Sequence, residues 1–263
     1  MKRHLVFSFY IFDGWENNFA NKVHLKYLEK YRDLYDDAEF IISCDDVNDT
    51  GLTSGFEKTI IGIGFINVKF KIVKNTLLRE AKPFYDEIAT KMDTFDGVVT
   101  WGHNKGITNL GIGEEALFNW LSILYFGSMG MMDECEMMFF QNYYGGEKYF
   151  YGAPLVEGDG ENNLWVYGGS FFNMNPQSIL KGMSRLGKKL PKLSNRAYSE
   201  CFPGDIFGKE RLGSHSDSYL YNSASNFYGY TRNDWNTVAE IIFGEEIDNL
   251  RKTKNEIWNV MKF

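Results

Sequence analysis

An α/β fold with a mostly parallel sheet is predicted by three features of this 263-residue chain. Strand-like and helix-like segments alternate through the first half. The strand-like runs are rich in β-branched and aromatic residues and stop at turn residues, as strands covered on both faces do. The length suits one large α/β domain spanning 1–263, with 233–263 as a C-terminal helical extension.

The elements follow in order. His4 to Phe12 reads as a first strand ending at Asp13-Gly14, and Asn17 to Tyr35 as a helix with apolar residues at Val23, Tyr27, Leu28, Tyr31 and Leu34. Ala38 to Ser43 is the second strand, stopping at Cys44-Asp45-Asp46, and Asn48 to Gly55 has the composition of a loop. Ile60 to Phe65 and Val68 to Val73 predict short strands, and Asn75 caps a helix over 76–92 that Pro83 interrupts or restarts. Asp96-Gly97-Val98-Val99-Thr100-Trp101-Gly102 is a short buried strand. A long helical region runs from Gly113 to Tyr144, broken at Gly127 and Gly130. Leu164 to Phe172 returns to strand, Asn175-Pro176 opens a helix, and Asn233 to Phe263 forms one or two amphipathic helices.

Composition narrows the function classes. Lys and Arg total 28 against 35 Asp and Glu, a formal net charge of -7, so the molecule as a whole lacks the basic footprint of a nonspecific nucleic-acid binder. Local basic stretches remain, at Lys181, Arg185, Lys188, Lys189 and Lys192 and at Arg251-Lys252-Thr253-Lys254, each readable as a groove or as a solvated helix face. Three cysteines without paired spacing suggest neither disulfides nor a zinc site, and a cytoplasmic location is expected. The most apolar stretch, Ala116 to Met132, is shorter than the about 20 residues a membrane span needs, so no membrane insertion is expected.

The strand that ends at Gly102 runs into His103-Asn104-Lys105-Gly106. An imidazole, an ammonium and a glycine at a strand's carboxyl end suit an anionic ligand, and a phosphate above all. The same four residues also make an ordinary solvated turn. Two later segments bear on the choice: Gly169-Ser170-Phe171-Phe172-Asn173, and Ser199-Glu200-Cys201-Phe202. Together with the tetrad, in this order and at this rough spacing over residues 4–207, they resemble bacterial and bacteriophage glycosyltransferases that carry a strand-end His-Thr-Lys-Gly, then a Gly-Asn-Phe-Trp-Trp-like strand, then an Ala-Glu-x-Phe-like segment. The chain departs from that pattern at Asn104, Ser170, Phe172-Asn173 and Ser199.

The resemblance implies a GT-A-like nucleotide-binding fold, a nucleotide-sugar donor as substrate, and a hydroxyl acceptor on either a saccharide or a hydroxymethylated base of phage DNA. It assigns Lys105 and the Gly106 amide to the leaving diphosphate, His103 to the donor or a metal, and Glu200 to the acceptor hydroxyl's proton. Asp45, Asp13 and Asp46 fall to the nucleoside, where strand-end carboxylates accept from ribose hydroxyls, and equally make Asx turns. Ser170, Asn173 and Phe172 fall to the acceptor, although strand aromatics more often build core. Glu200 also stands at i,i+4 spacing from Arg196, which makes an ion pair the competing role. No Asp-x-Asp occurs, so the identity and need of a divalent metal stay open. Glu157-Gly158-Asp159-Gly160-Glu161 lacks calcium-loop spacing and reads as a hairpin tip. A noncatalytic carbohydrate-binding or assembly protein on a degenerate transferase scaffold is the alternative.

Overall fold

The computed structural model describes residues 1–104, 113–140, 147–152, 155–157, 165–167, 170–208, 211–214 and 235–261. Four parallel strands form its spine: β1 (Lys2–Tyr10), β2 (Asp37–Cys44), β3 (Val68–Lys74) and β4 (Gly97–His103). Chain order and spatial order part after β3. The first three strands step outward on one side of β1, and β4 returns to its other side, with His103 opposite Ser8. Beyond β4 lie β8 (Phe172–Met174), antiparallel to it, then β5 (Phe150–Tyr151) and β9 (Leu212–Gly213). The seven-stranded sheet thus runs β3-β2-β1-β4-β8-β5-β9, with β8 the one reversed strand. A separate antiparallel pair joins β6 (Leu155–Glu157) to β7 (Trp165–Tyr167), which flank the expected hairpin tip; 158–164 lies outside the described residues.

Strand alternation sorts the side chains into two cores. Leu5, Phe7 and Phe9 of β1 and Phe40 and Ile42 of β2 pack under α1 (Phe19–Tyr31), α2 (Thr50–Ile63), α4 (Glu114–Tyr125) and α5 (Met132–Phe140). The helices α8 (Trp235–Phe243) and α9 (Ile247–Met261), expected from the tail's amphipathic pattern, join this core through Val238, Ile242, Leu250 and Ile257. Val6, Ile41, Val99 and Trp101 face the other way, against α3 (Ala81–Glu87), α6 (Pro176–Arg185) and α7 (Tyr198–Phe207). Each fully buried Leu, Ile or Phe contributes roughly 1.5–3 kcal/mol, so a sheet covered on both faces outweighs weak local propensity.

The helix α2 is where that matters. The loop expected over Asn48–Gly55 and the strand over Ile60–Phe65 are one helix. Asp49 Oδ1 accepts from the Leu52 amide at 2.9 Å as an N-cap, Thr53, Phe56 and Ile60 are buried at helical spacing, and Gly64 ends the helix at φ 89°. The helix expected over 76–92 is also corrected. Pro83 sits in the first turn of α3, where its missing N–H costs little, and a 3₁₀ segment, Ala89–Thr94, follows. Asn75 does not cap it; its side-chain amide donates to Asp45 Oδ1 at 3.0 Å. The run Leu164–Phe172 is divided, because Ser170 turns at φ 54° between β7 and β8. Between α4 and α5 the break at Gly127 and Gly130 takes the form of a π-helical turn, Phe126–Gly130.

Candidate functional site

A parallel sheet whose chain order reverses direction leaves a crevice outside the carboxyl ends of the two strands that flank the reversal, because their outgoing loops diverge. Here the reversal falls between β1 and β4, which makes their carboxyl ends the place to look for such a crevice. Tyr10 ends β1 and the exposed Asp13 follows; His103 ends β4 and Asn104 follows.

His103 closes β4, 7% exposed, with its ring centroid 6.1 Å from that of Phe171. Asn104 is held more firmly than a solvated turn would require. Its amide donates to the Ser8 carbonyl at 3.1 Å, its Oδ1 accepts from the Tyr10 amide at 2.8 Å, and its Nδ2 donates to the Tyr10 carbonyl at 2.8 Å and to Asn21 Oδ1 at 3.0 Å. The asparagine side chain therefore mimics a peptide group and prolongs the β1–β4 ladder past the last strand residue. Gly102 lets the two strands' ring neighbours close in: a Cβ there would stand 2.8 Å from the Phe7 ring and 3.0 Å from that of Phe171. Lys105 and Gly106 lie outside the described residues.

The β2 end contributes Asp45 and Asp46, both exposed. Asp45 accepts from the Tyr10 hydroxyl at 2.9 Å and from Asn75 at 3.0 Å, which joins the ends of β1, β2 and β3 in one polar cluster. Burial, then the Asp45 carboxylate, raises the Tyr10 phenol above its ordinary value. Asp46 Oδ1 accepts from the Asn48 amide at 2.9 Å, the Asx turn that was its competing role. Among the described residues, none of Asp13, Asp45 and Asp46 is paired with a cation, and no group of three histidines, cysteines and acids is arranged to hold a metal.

The reversed direction of β8 carries the later segments to the same edge. Trp101 pairs with Phe172, so Ser170 and Phe171 lie beside the end of β4. Ser170 Oγ meets Ser199 Oγ at 3.1 Å, both fully buried, and this contact pins the first turn of α7 to the edge. Half-buried Glu200 is the next residue in that turn. Arg196 precedes the helix in a turn, so the two are not stacked at i,i+4 on one helix. Burial pushes the neighbouring Cys201 thiol up to about 11, as befits a structural cysteine.

The other two expected acceptor residues are fully buried as well. Phe172 is fully buried in the second core against Phe84, Phe150 and Tyr167. Asn173 is fully buried too: its Oδ1 accepts from Thr100 Oγ1 at 2.6 Å and its Nδ2 donates to the Ser128 carbonyl at 2.6 Å. Sequence alternation places both on a strand covered on two faces, where neither side chain reaches a ligand. The edge thus gathers Asp13, Asp45, Asp46, His103, Ser170 and Glu200. Tyr10 and Asn75 were not foreseen as members; the signal available for Tyr10 was its place as a polar-tipped residue at the end of an apolar strand. The chain matches no family model and no curated protein.

Proposed function

We propose that the protein is a glycosyltransferase that moves a sugar from a nucleotide-sugar donor to a hydroxyl acceptor, on a GT-A-like scaffold. The observation that carries this reading is the convergence of three chain-distant segments on the crevice where strand order reverses: Asp13 with Asp45, His103, and Ser170 with the α7 turn that bears Glu200. Chemistry then distributes the roles. Carboxylates without cationic partners repel a diphosphate but accept well from hydroxyl groups, so Asp45 and Asp13 suit the ribose end of the donor. Positive charge for the departing diphosphate falls to Lys105, with the Gly106 amide beside it, since electrostatic stabilisation of developing charge is usually the largest catalytic contribution. Glu200, half-buried at the same edge, takes the acceptor proton in an inverting transfer. His103 orients the donor.

The burial of Ser170, Phe172 and Asn173 favours a second reading, a carbohydrate-binding or assembly protein on this scaffold, because all three acceptor residues taken from the resemblance are fully buried. One measurement divides the readings. A nucleoside diphosphate at about 100 times its dissociation constant should stabilise a donor-binding protein by about 2.7 kcal/mol. A melting temperature indifferent to uridine, guanosine, adenosine, cytidine and thymidine diphosphates would exclude the transferase.

A further inference from the structure

No acidic residue occurs between Glu161 and Glu200, in a chain with 35 of them. Lys181, Arg185, Lys188, Lys189, Lys192 and Arg196 fall inside that interval and are all exposed. Only the first two stand on α6, which stops at Gly187 with φ 60°; the others lie on the non-helical segment leading to α7, so the strip is not one solvated helix face. The segment is fastened down. The Tyr198 hydroxyl donates to the Pro191 carbonyl at 2.8 Å, and the Lys188 ammonium donates to the Ile206 carbonyl.

Cations elsewhere divide between paired and unpaired, whereas this interval holds no acid of its own to pair with. Arg3, Lys30, Lys71, Lys82, Lys91 and Arg251 each meet a carboxylate. Among the described residues no carboxylate pairs with Lys181, Arg185, Lys189 or Lys192. The interval 181–197 also contains no aromatic residue. Neutral sugars and unpaired bases are gripped by stacking on aromatic rings, which this strip cannot offer. A lipid surface needs apolar anchors beside the cations, and Leu186, at 60% exposure, is the one strongly exposed large apolar side chain in the interval. What the strip offers is a row of cations for the phosphodiester backbone of a duplex, which demands charge without stacking.

We infer that residues 181–196 form a duplex-DNA backbone contact that leads the acceptor to the crevice, a reading that rests on the proposed transferase and selects DNA over a saccharide as its acceptor. The strip lies along α7: Lys188 is bonded to Ile206 in its last turn and Arg196 stands just before its first turn, which is bonded to Ser170 and carries Glu200, so a duplex lying on the strip approaches the candidate site at its Arg196 end. The rest of this acidic molecule would repel the same polyanion, which restricts binding to one face.

The test is fluorescence anisotropy of the full chain with a short labelled DNA duplex at about 50 to 200 mM salt. Replacing Arg185, Lys189 and Lys192 together by Gln is expected to weaken binding roughly tenfold or more and to reduce the slope of log affinity against log salt by about 2 to 3. The triple Lys22→Gln, Lys58→Gln, Lys252→Gln removes the same three charges from other exposed positions and is expected to leave binding nearly unchanged. Arg185→Lys should retain it. Equal loss in both triples, no duplex binding by the parent, or tighter binding of acidic polysaccharide or of anionic phospholipid vesicles than of duplex would each overturn the inference. Nucleoside diphosphate stabilisation, read on the same preparations, separates the two layers. Stabilisation without duplex binding sinks the strip and keeps the transferase; duplex binding lost with the strip triple, but without any nucleotide response, keeps the strip and sinks the transferase.

Discussion

The two ends of the parallel strands handle charge in opposite ways. At the amino end, His4 is held between two carboxylates, Nδ1 at 2.7 Å from Asp37 and Nε2 at 2.8 Å from Asp96, while Lys2 reaches both acids and Arg3 grips Glu136 at 2.7 Å. Asp37, Asp96 and Glu136 there each have a cationic neighbour. At the carboxyl end Asp45 accepts only from neutral groups, Tyr10 and Asn75, and Asp46 from a backbone amide. The contrast separates two uses of the same side chain. Carboxylates that fasten strands are neutralised in place, whereas carboxylates left to hydroxyl and amide donors keep their accepting power for a visiting molecule.

Substitutions at the two ends should therefore diverge, and the widest divergence is expected at Glu200. On the proposed mechanism Glu200→Gln lowers transfer by about 10² to 10⁴ and removes the acidic limb of the pH–rate profile, with the melting temperature and donor affinity retained. Near-parental transfer, or a product that keeps the donor's anomeric configuration, would remove Glu200 as the base. Lys105→Ala comes next. Turnover should fall roughly tenfold or more, because on the proposed mechanism a positive charge that offsets the departing diphosphate acts more strongly in the transition state than in the ground state. Unaltered turnover in a folded variant would break the proposed division of labour at this edge.

A smaller effect is expected from Asp45→Asn. Losing a hydrogen bond worth about 0.5–1.5 kcal/mol, made equally in ground and transition states, should raise the donor KM roughly 2- to 12-fold and leave kcat alone. A fall in kcat at constant KM would move Asp45 from binding to chemistry. The smallest effect is at the amino end. The hydrogen bond from His4, then the charge of Lys2, holds the Asp96 carboxyl below its ordinary value. A depressed carboxyl stabilises the fold above its unfolded pKa and loses that contribution as pH falls through the folded one, so the parent should lose thermal stability below about pH 4. Asp96→Asn should flatten that acid limb without touching transfer, and an unchanged limb would show that this exposed acid carries no linkage.

Legibility followed local rules where these were strong and failed where packing overrode them. The strands β1, β2 and β4 were readable because apolar runs met hard stops at Asp13-Gly14, Cys44-Asp45 and His103, and α6 because Asn175 and Pro176 form a strong start signal. The helix α2 was not, since Thr50-Gly51-Leu52-Thr53-Ser54-Gly55 carries turn composition that the Asp49 cap and the burial of Thr53, Phe56 and Ile60 override. In the candidate site, Asp13, Asp45, Asp46 and His103 were legible as strand-end residues. Phe172 and Asn173 misled because a three-residue strand is too short to show which neighbours will cover it, and the second core is assembled from segments far apart in sequence. Tyr10 was hidden for the same reason: its partner Asp45 is 35 residues away.

The π-helical turn at Phe126–Gly130 has a consequence for how the chain tolerates changes of length. Such a turn holds one residue more than an α-turn, so it amounts to a single-residue insertion between α4 and α5. The backbone carbonyl of Ser128 in this turn is taken up by the Asn173 side chain rather than left orphaned. Deleting one residue here would let the two helices run on as one and turn α5 by about 100° about its axis. Cys135 and Phe139 would then swing away from the sheet, and Asn173 would lose its acceptor inside the core. A one-residue deletion here would therefore be tolerated only together with a change at Asn173.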